Sequence, residues 1–94
     1  MYATMRRYPG AAALGDAMAA KANDVEQIIR DVPGFVAYFA IRDGAEVMSV
    51  TVCDSSAGTD ESTKRAAAWV KENVQGTVGK PSISEGNVFI SFSK

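Results

Sequence analysis

The sequence has 94 residues, of which 47% are hydrophobic and 22% charged, with 10 basic and 11 acidic side chains, a formal net charge of −1, one cysteine and no histidine. This describes a single folded domain over 1–94 with one modest core; it argues against disorder, a nucleic-acid or anionic-membrane footprint, an internal disulfide, and the histidine-based metal, haem and proton-transfer sites. No apolar run approaches the roughly 20 residues of a bilayer span, and no long apolar stretch follows the charges of residues 1–7 as a leader requires, so a cytoplasmic protein in a reducing compartment is expected.

Residues 1–8 alternate, with Tyr2, Thr4, Arg6 and Tyr8 on one face and Met1, Ala3, Met5 and Arg7 on the other, which predicts a strand. Pro9-Gly10 ends it. Over 16–31 the period changes. Met18, Ala22, Val25, Ile29 and Val32 recur at spacings of four and three, the apolar stripe of an amphipathic helix, and Lys21, Asp24, Glu26 and Arg30 fall away from it. Pro33-Gly34 stops that helix.

Two strands are predicted next, over 35–42 and 47–53, with Asp43-Gly44 between them as a hairpin signal. A second helix is expected over 59–74, with Thr59 as its cap, Asp60 and Glu61 suiting the positive end of its dipole, and Thr63, Ala66, Ala67, Val70 and Val74 as its stripe. Gly76 ends it, and 82–92 reads as a closing strand, bent at Gly86. The order β-α-β-β-α-β is the α+β, ferredoxin-like arrangement: a four-stranded antiparallel sheet with both helices on one face.

Two helices cover only one face of such a sheet, yet the strands are apolar on both. Phe35, Ala37, Phe39 and Ile41 line one side of the second strand, and Val36, Tyr38 and Ala40 line the other. An exposed contiguous apolar face marks an interface, so a homodimer with sheets packed face to face is expected; a merely greasy surface is the alternative.

Few residues offer chemistry. At about 100° per residue, Trp69 lies roughly 100° from the stripe centre at Val70, with Ser62, Arg65 and Asn73 on the same flank of the second predicted helix. An indole there either walls a cavity between helix and sheet or closes the core edge. Arg6 and Arg7 point to opposite faces; one must face the helices, where a buried guanidinium needs a partner or binds a substrate oxyanion. Tyr2, Tyr8 and Tyr38 are the only phenols. Cys53 has no histidine to activate it and reads as a small buried hydrophobe. No phosphate loop or metal-spaced cluster is present, and the strand over 47–53 lacks the aromatics that an RNA-binding sheet needs.

The strand Tyr2-Ala3-Thr4-Met5-Arg6-Arg7-Tyr8, the segment Val32-Pro33-Gly34-Phe35-Val36-Ala37-Tyr38, the triplet Asp60-Glu61-Ser62 and the run Lys64-Arg65-Ala66-Ala67-Ala68-Trp69-Val70-Lys71-Glu72-Asn73 together resemble the dimeric α/β-barrel superfamily, and within it the antibiotic biosynthesis monooxygenase-like domains. The resemblance spans nearly the whole chain. It implies a homodimer whose two sheets form a barrel, with a pocket in each protomer between sheet and helices. Characterised members of that superfamily oxygenate phenolic or quinol-type compounds without metal or flavin, or degrade haem. Trp69 matches the family's pocket tryptophan by its place on the second helix, and Asn73, Arg6 and Tyr38 match by residue type. Haem-degrading members hold iron with a histidine just after that helix; this chain has none.

The resemblance thus implies a monooxygenase that needs no cofactor and acts on a small aromatic or quinol-type ligand. Trp69, Asn73 and Arg6 would be catalytic, Tyr38, Ser62 and Arg65 would bind the ligand, and no metal would be used. The alternative is a non-catalytic ligand-binding or stress-related homodimer, which the lack of any acid or base beyond tyrosine and carboxylate favours. A regulatory module of the same β-α-β-β-α-β order, binding an amino acid near Pro9-Gly10, is a third reading.

Overall fold

A computed structural model describes residues 1–74, 76 and 78–94. The elements are β1 (Tyr2–Tyr8), α1 (Ala12–Ala20), α2 (Ala22–Arg30), β2 (Phe35–Asp43), β3 (Glu46–Cys53), α3 (Ser56–Asn73) and β4 (Ser82–Asn87). The four strands form one antiparallel sheet in the order β2-β3-β1-β4. The fold is α+β and ferredoxin-like, with a third helix where the sequence predicted two.

Strand alternation decides which side chains meet the helices. Thr4, Arg6 and Tyr8 of β1 and Val47, Ser49, Thr51 and Cys53 of β3 are buried, while Met5 and Arg7 are exposed and Met48, Val50 and Val52 half-buried. The choice between the two arginines is therefore settled: Arg6 points inward, and Arg7 pairs with Glu46 at 2.8 Å on the open face. At the β2–β3 hairpin, Gly44 at φ +58° and Ala45 form a two-residue loop. A positive φ at the first loop residue is what a hairpin turn with the sheet's own twist demands, and glycine adopts it without strain.

The first predicted helix begins earlier and is divided. It starts at Ala12, because Ala11-Ala12-Ala13-Leu14 is a run of strong helix formers and Leu14 seals into the core at 1% exposure. The backbone N–H of Ala11 donates to the Ala45 carbonyl at 2.6 Å, which fixes the entry against the hairpin. At Lys21 (φ −121°, ψ 38°) the helical path breaks, so α1 packs over β3 and α2 turns towards β2 and α3.

α3 starts at Ser56, three residues before the predicted cap. Thr59 does not cap it: its hydroxyl donates back to the Ser56 carbonyl at 3.0 Å inside the first turn. Its inward line is Gly58, Thr59, Ser62 and Trp69, with Val70 half-buried beside it. Trp69, expected on a flank, thus lies in the core with Tyr8, Ala11, Leu14, Val47 and Val74. The expected stripe, Thr63, Ala66, Ala67, Val70 and Val74, was rotated from this line because it followed mainly apolar residues, whereas the layer beneath the first half of α3 is polar.

β4 ends at Asn87 rather than 92. β1 begins at Tyr2, opposite Asn87, and the last bond beyond the ladder runs from the Val88 N–H to the Met1 carbonyl at 2.9 Å. Residues 88–94 then leave the sheet, with Phe89 and Phe92 each 90% exposed. On the open face Phe39 is 63% exposed, and Met5 and Ile41 are exposed too. Among the described residues no helix is long and apolar enough to cross a membrane.

Candidate functional site

The centre of the helix-covered layer is Arg6, a guanidinium only 1% exposed. It donates from Nε to Ser49 at 3.2 Å, from Nη1 to Ser62 at 3.3 Å and Thr63 at 2.9 Å, and from Nη2 to Thr51 at 2.8 Å. Every partner is a neutral hydroxyl. Among the described residues the ion pairs join other side chains, and none includes Arg6. Two strands and one helix build this cage. Ser49 and Thr51 share the inward face of β3, and Ser62 and Thr63 sit one turn past Thr59, whose carbonyl accepts from both their hydroxyls at 2.6 and 3.1 Å. Burial pushes the Arg6 pKa down, and Tyr8, Tyr38 and Cys53 act against that shift.

Tyr8 and Tyr38 are the phenols nearest this charge. Burial pushes both above the ordinary tyrosine value of 10.0, with the Arg6 charge pulling each back; the Ser49 hydroxyl also lowers Tyr38. Both phenols are therefore neutral donors at physiological pH. Burial likewise raises the Cys53 thiol, with Asp54 adding to the rise, so it is no nucleophile.

Three spaces lie among these elements, two of them lined by residues of the cage. A cleft of about 660 Å³ lies between α1–α2 and β2, with Met18, Val25, Ile29 and Tyr38 on its walls and Arg30 and Arg42 among its lining charges. A narrow apolar cavity of about 30 Å³ shares Met18, Val25, Ile29, Tyr38 and Val47 with it and is also lined by Trp69, Tyr8, Ser49 and Arg65. A second crevice, of about 520 Å³, runs between α3 and β4. The cleft is ligand-sized and the cavity at Trp69 is not.

Of the six residues singled out from the sequence, five fall into two groups. Arg6 and Ser62 are bonded to each other, and Tyr38, Trp69 and Arg65 line the one narrow cavity. Arg65 is held by Glu61 at 2.9 Å, by the Ile28 carbonyl at 3.1 Å and by Asp31 at 3.4 Å, and its Glu61 hydrogen bond leads the causes that raise its pKa. Asn73 stands apart. Its side chain donates to the Trp69 carbonyl at 2.9 Å and accepts from Lys21 at 2.8 Å, and it lines none of the three spaces. Sequence reading missed Ser49, Thr51 and Thr63. The available signal was a pair of hydroxyls on alternate positions of the otherwise apolar strand Val47 to Cys53.

No group of three or more histidine, cysteine or acidic residues placed to hold a metal ion occurs among the described residues.

No protein-family model matches the sequence, and no curated protein matches it either. Similar solved structures number 22 chains, one of them a protein of unknown function from Nitrosomonas europaea, at 18% identity and TM-score 0.69, over 99% of this chain and 93% of that one. A second is a monooxygenase from the gene ActVA-Orf6 of Streptomyces coelicolor in complex with the ligand nanaomycin D, at 18% identity and TM-score 0.65, over 99% of this chain and 91% of that one. A third is a point mutant of SnoaB, a cofactor-independent oxygenase from Streptomyces nogalater, at 13% identity and TM-score 0.64, over 99% and 97%. A fourth is a dimeric ferredoxin-like protein from an uncultured marine organism, at 13% identity and TM-score 0.66, over 99% and 97%. The chain therefore has the ferredoxin-like fold of the antibiotic biosynthesis monooxygenase-like proteins.

Proposed function

We propose that the protein is a homodimer that binds a small aromatic or quinol-type ligand in the cleft between α1–α2 and β2 and oxygenates it without a cofactor. The carrying observation is the position of Tyr38. Its side chain lines both the ligand-sized cleft and the cavity at Trp69, and behind it stands the Arg6 charge, reached through Ser49. The fold shared with two oxygenases supports the same reading.

In this scheme the ligand is its own reductant. An anthrone-type carbon acid loses a proton, and its enolate passes electrons to O₂. One oxygen atom becomes the new ring carbonyl and the other leaves as water, so a CH₂ group becomes C=O at the expense of one O₂. The protein's part is to stabilise the anion and exclude water. Arg6 supplies positive potential and Tyr38 a neutral phenol donor. Trp69 offers the closing wall, Ser62 fixes the guanidinium, and Arg65 bounds the far end. Asn73 is a positioning residue that acts through the Trp69 carbonyl.

Assembly through the open sheet face belongs to the same proposal. Met5, Phe39 and Ile41 are exposed there, and Phe89, Ile90 and Phe92 are exposed beyond β4. A second copy is the partner that would cover such surfaces.

Oxygen uptake with a panel of quinols and hydroxyanthracenes, run beside quenching of Trp69, tests the reading. One O₂ consumed per quinone formed from a hydroxyanthracene, with no hydrogen peroxide released, supports it. Saturable quenching without oxygen uptake supports the second reading, a non-catalytic binding dimer. The neutral state of Tyr8 and Tyr38 and the tight space at Trp69 favour that alternative. Neither quenching nor uptake would overturn both.

A further inference from the structure

We propose that the crevice between α3 and β4 is a separate binding site for a small organic monocarboxylate. It is lined by Arg6, Lys71 and Lys80, and among the described residues no acidic side chain lines it. Three cations therefore face one space of about 520 Å³. Val70 and Ile83 supply apolar wall, which suits a ligand with a carbon body.

Arg6 is the decisive group. A buried guanidinium normally meets a carboxylate, because only an opposite charge offsets the loss of water around it. Here its acceptors are four hydroxyls. They take four of the five N–H donors that an arginine carries, and the remaining one is on Nη2. The hydrogen bonds hold the guanidinium in place and leave its charge uncompensated. Thr63, bonded to Nη1 at 2.9 Å, lines the same crevice, and because its hydroxyl proton goes to the Thr59 carbonyl it holds the guanidinium there without competing for the ligand anion. Lys71 projects from the last turn of α3, a place set by the helix and not by the loop beyond it.

The chemistry selects one class. Anionic oxygens are drawn to the cations, and an aryl or short alkyl body lies along Val70 and Ile83. Inorganic phosphate would meet the charge but leave the apolar walls wet. The cleft at Tyr38 is lined by other residues, Lys71 and Lys80 not among them; Arg6 serves both readings, so the lysine pair and Tyr38 are the residues that tell this site from the oxygenase reading.

Calorimetric titration of the full chain with benzoate, its neutral isostere benzamide, and inorganic phosphate tests the proposal. Benzoate should bind saturably, with benzamide and phosphate each at least about tenfold weaker. Reversal of both lysines, Lys71→Glu with Lys80→Glu, should weaken benzoate about tenfold or more, because it replaces attraction by repulsion at the mouth. Arg6→Met should abolish benzoate binding; if that variant does not fold, the lysine pair still decides. Tyr38→Phe should leave benzoate affinity unchanged. Equal affinity for benzoate and benzamide, tighter binding of phosphate than of benzoate, no saturable heat at millimolar benzoate, or loss of benzoate binding in Tyr38→Phe with no change in the lysine pair would each overturn the assignment.

Discussion

The Nη2 of Arg6 on β1 lies 2.8 Å from the Thr51 hydroxyl on the neighbouring strand β3, in the buried middle of the sheet. The contact joins a full positive charge to an uncharged oxygen, and the three other acceptors of that guanidinium are uncharged as well. The interior beneath the first half of α3 is therefore a cage of hydroxyls around one cation.

Arg6→Met should lower stability by about 1–3 kcal/mol. Removing the charge relieves a desolvation cost, but it leaves the inward Ser49 and Thr51 hydroxyls without their donor. Arg6→Lys should do no better, since one ammonium cannot span partners on two strands and a helix. Urea unfolding measures both. A midpoint that rises in Arg6→Met would show that the buried charge is a net burden.

Alkaline pH should destabilise the fold through Tyr8 and Tyr38. Each has a folded-state pKa above the ordinary 10.0, so between 10.0 and that raised value the unfolded chain has lost a proton that the folded chain keeps. Their contribution is complete below pH 10.0 and is lost as pH rises through the folded values. Thermal melts from pH 8 to 11 should begin to fall above about pH 9, where the buried Cys53 thiol, also raised, starts to count, and more steeply beyond about pH 10 as the two phenols follow. The Tyr38→Phe, Tyr8→Phe double variant should flatten the alkaline fall.

Gly58→Ala should be among the most damaging conservative changes. A Cβ there would stand 2.5 Å from the Pro33 carbonyl oxygen and 2.8 Å from Cys53 Cβ, and the backbone atom cannot swing away. A loss of about 1–3 kcal/mol is expected from overpacking. Gly15→Ala is the control, because the three atoms nearest its Cβ all belong to the movable guanidinium of Arg42. Equal urea midpoints for the two variants would contradict this.

Trp69→Phe and Asn73→Ala should separate packing from function. Trp69 is 7% exposed in the core, so even its conservative replacement lowers stability, while truncation to alanine should cost about 3–5 kcal/mol. Asn73→Ala removes a bond to the Trp69 carbonyl and should cost about 1 kcal/mol or less. If quinol turnover falls in Trp69→Phe more than stability at the assay temperature accounts for, the indole belongs to the site. Full turnover in both variants would remove both residues from it.

Phe39→Glu should shift the protein towards monomer if the open face is a dimer interface, because a carboxylate would be buried against the partner's apolar strands. Sedimentation velocity of wild type and variant at micromolar concentration gives the answer. A monomeric wild type would leave the exposed face unexplained.

Much of the fold could be read from the chain because it depends on periodicity. Strand alternation put Thr4, Arg6 and Tyr8 on one face of β1, and Asp43-Gly44 marked the hairpin. The division of the first helix at Lys21 was invisible, since no proline or glycine announces it. The inward line of α3 was only partly read: the expected stripe held Thr63, which does meet Arg6, but it left out Ser62, turned towards the same guanidinium, and Trp69, which lies in the core. A cation's need for acceptors outweighed the pull of small alanines, and a stripe drawn from hydrophobicity cannot register that. Tyr38 was found by residue type, while its partnership with Ser49 and Arg6 required three strands to be placed side by side.

The cage of hydroxyls has a consequence for the protein in acid. A buried arginine matched to aspartate or glutamate loses its counter-ion when the carboxylate takes up a proton, and the pair fails as the medium acidifies. Serine and threonine oxygens have no such transition. The centre of this sheet should keep the same bonds around Arg6 from neutral solution down to strongly acidic conditions.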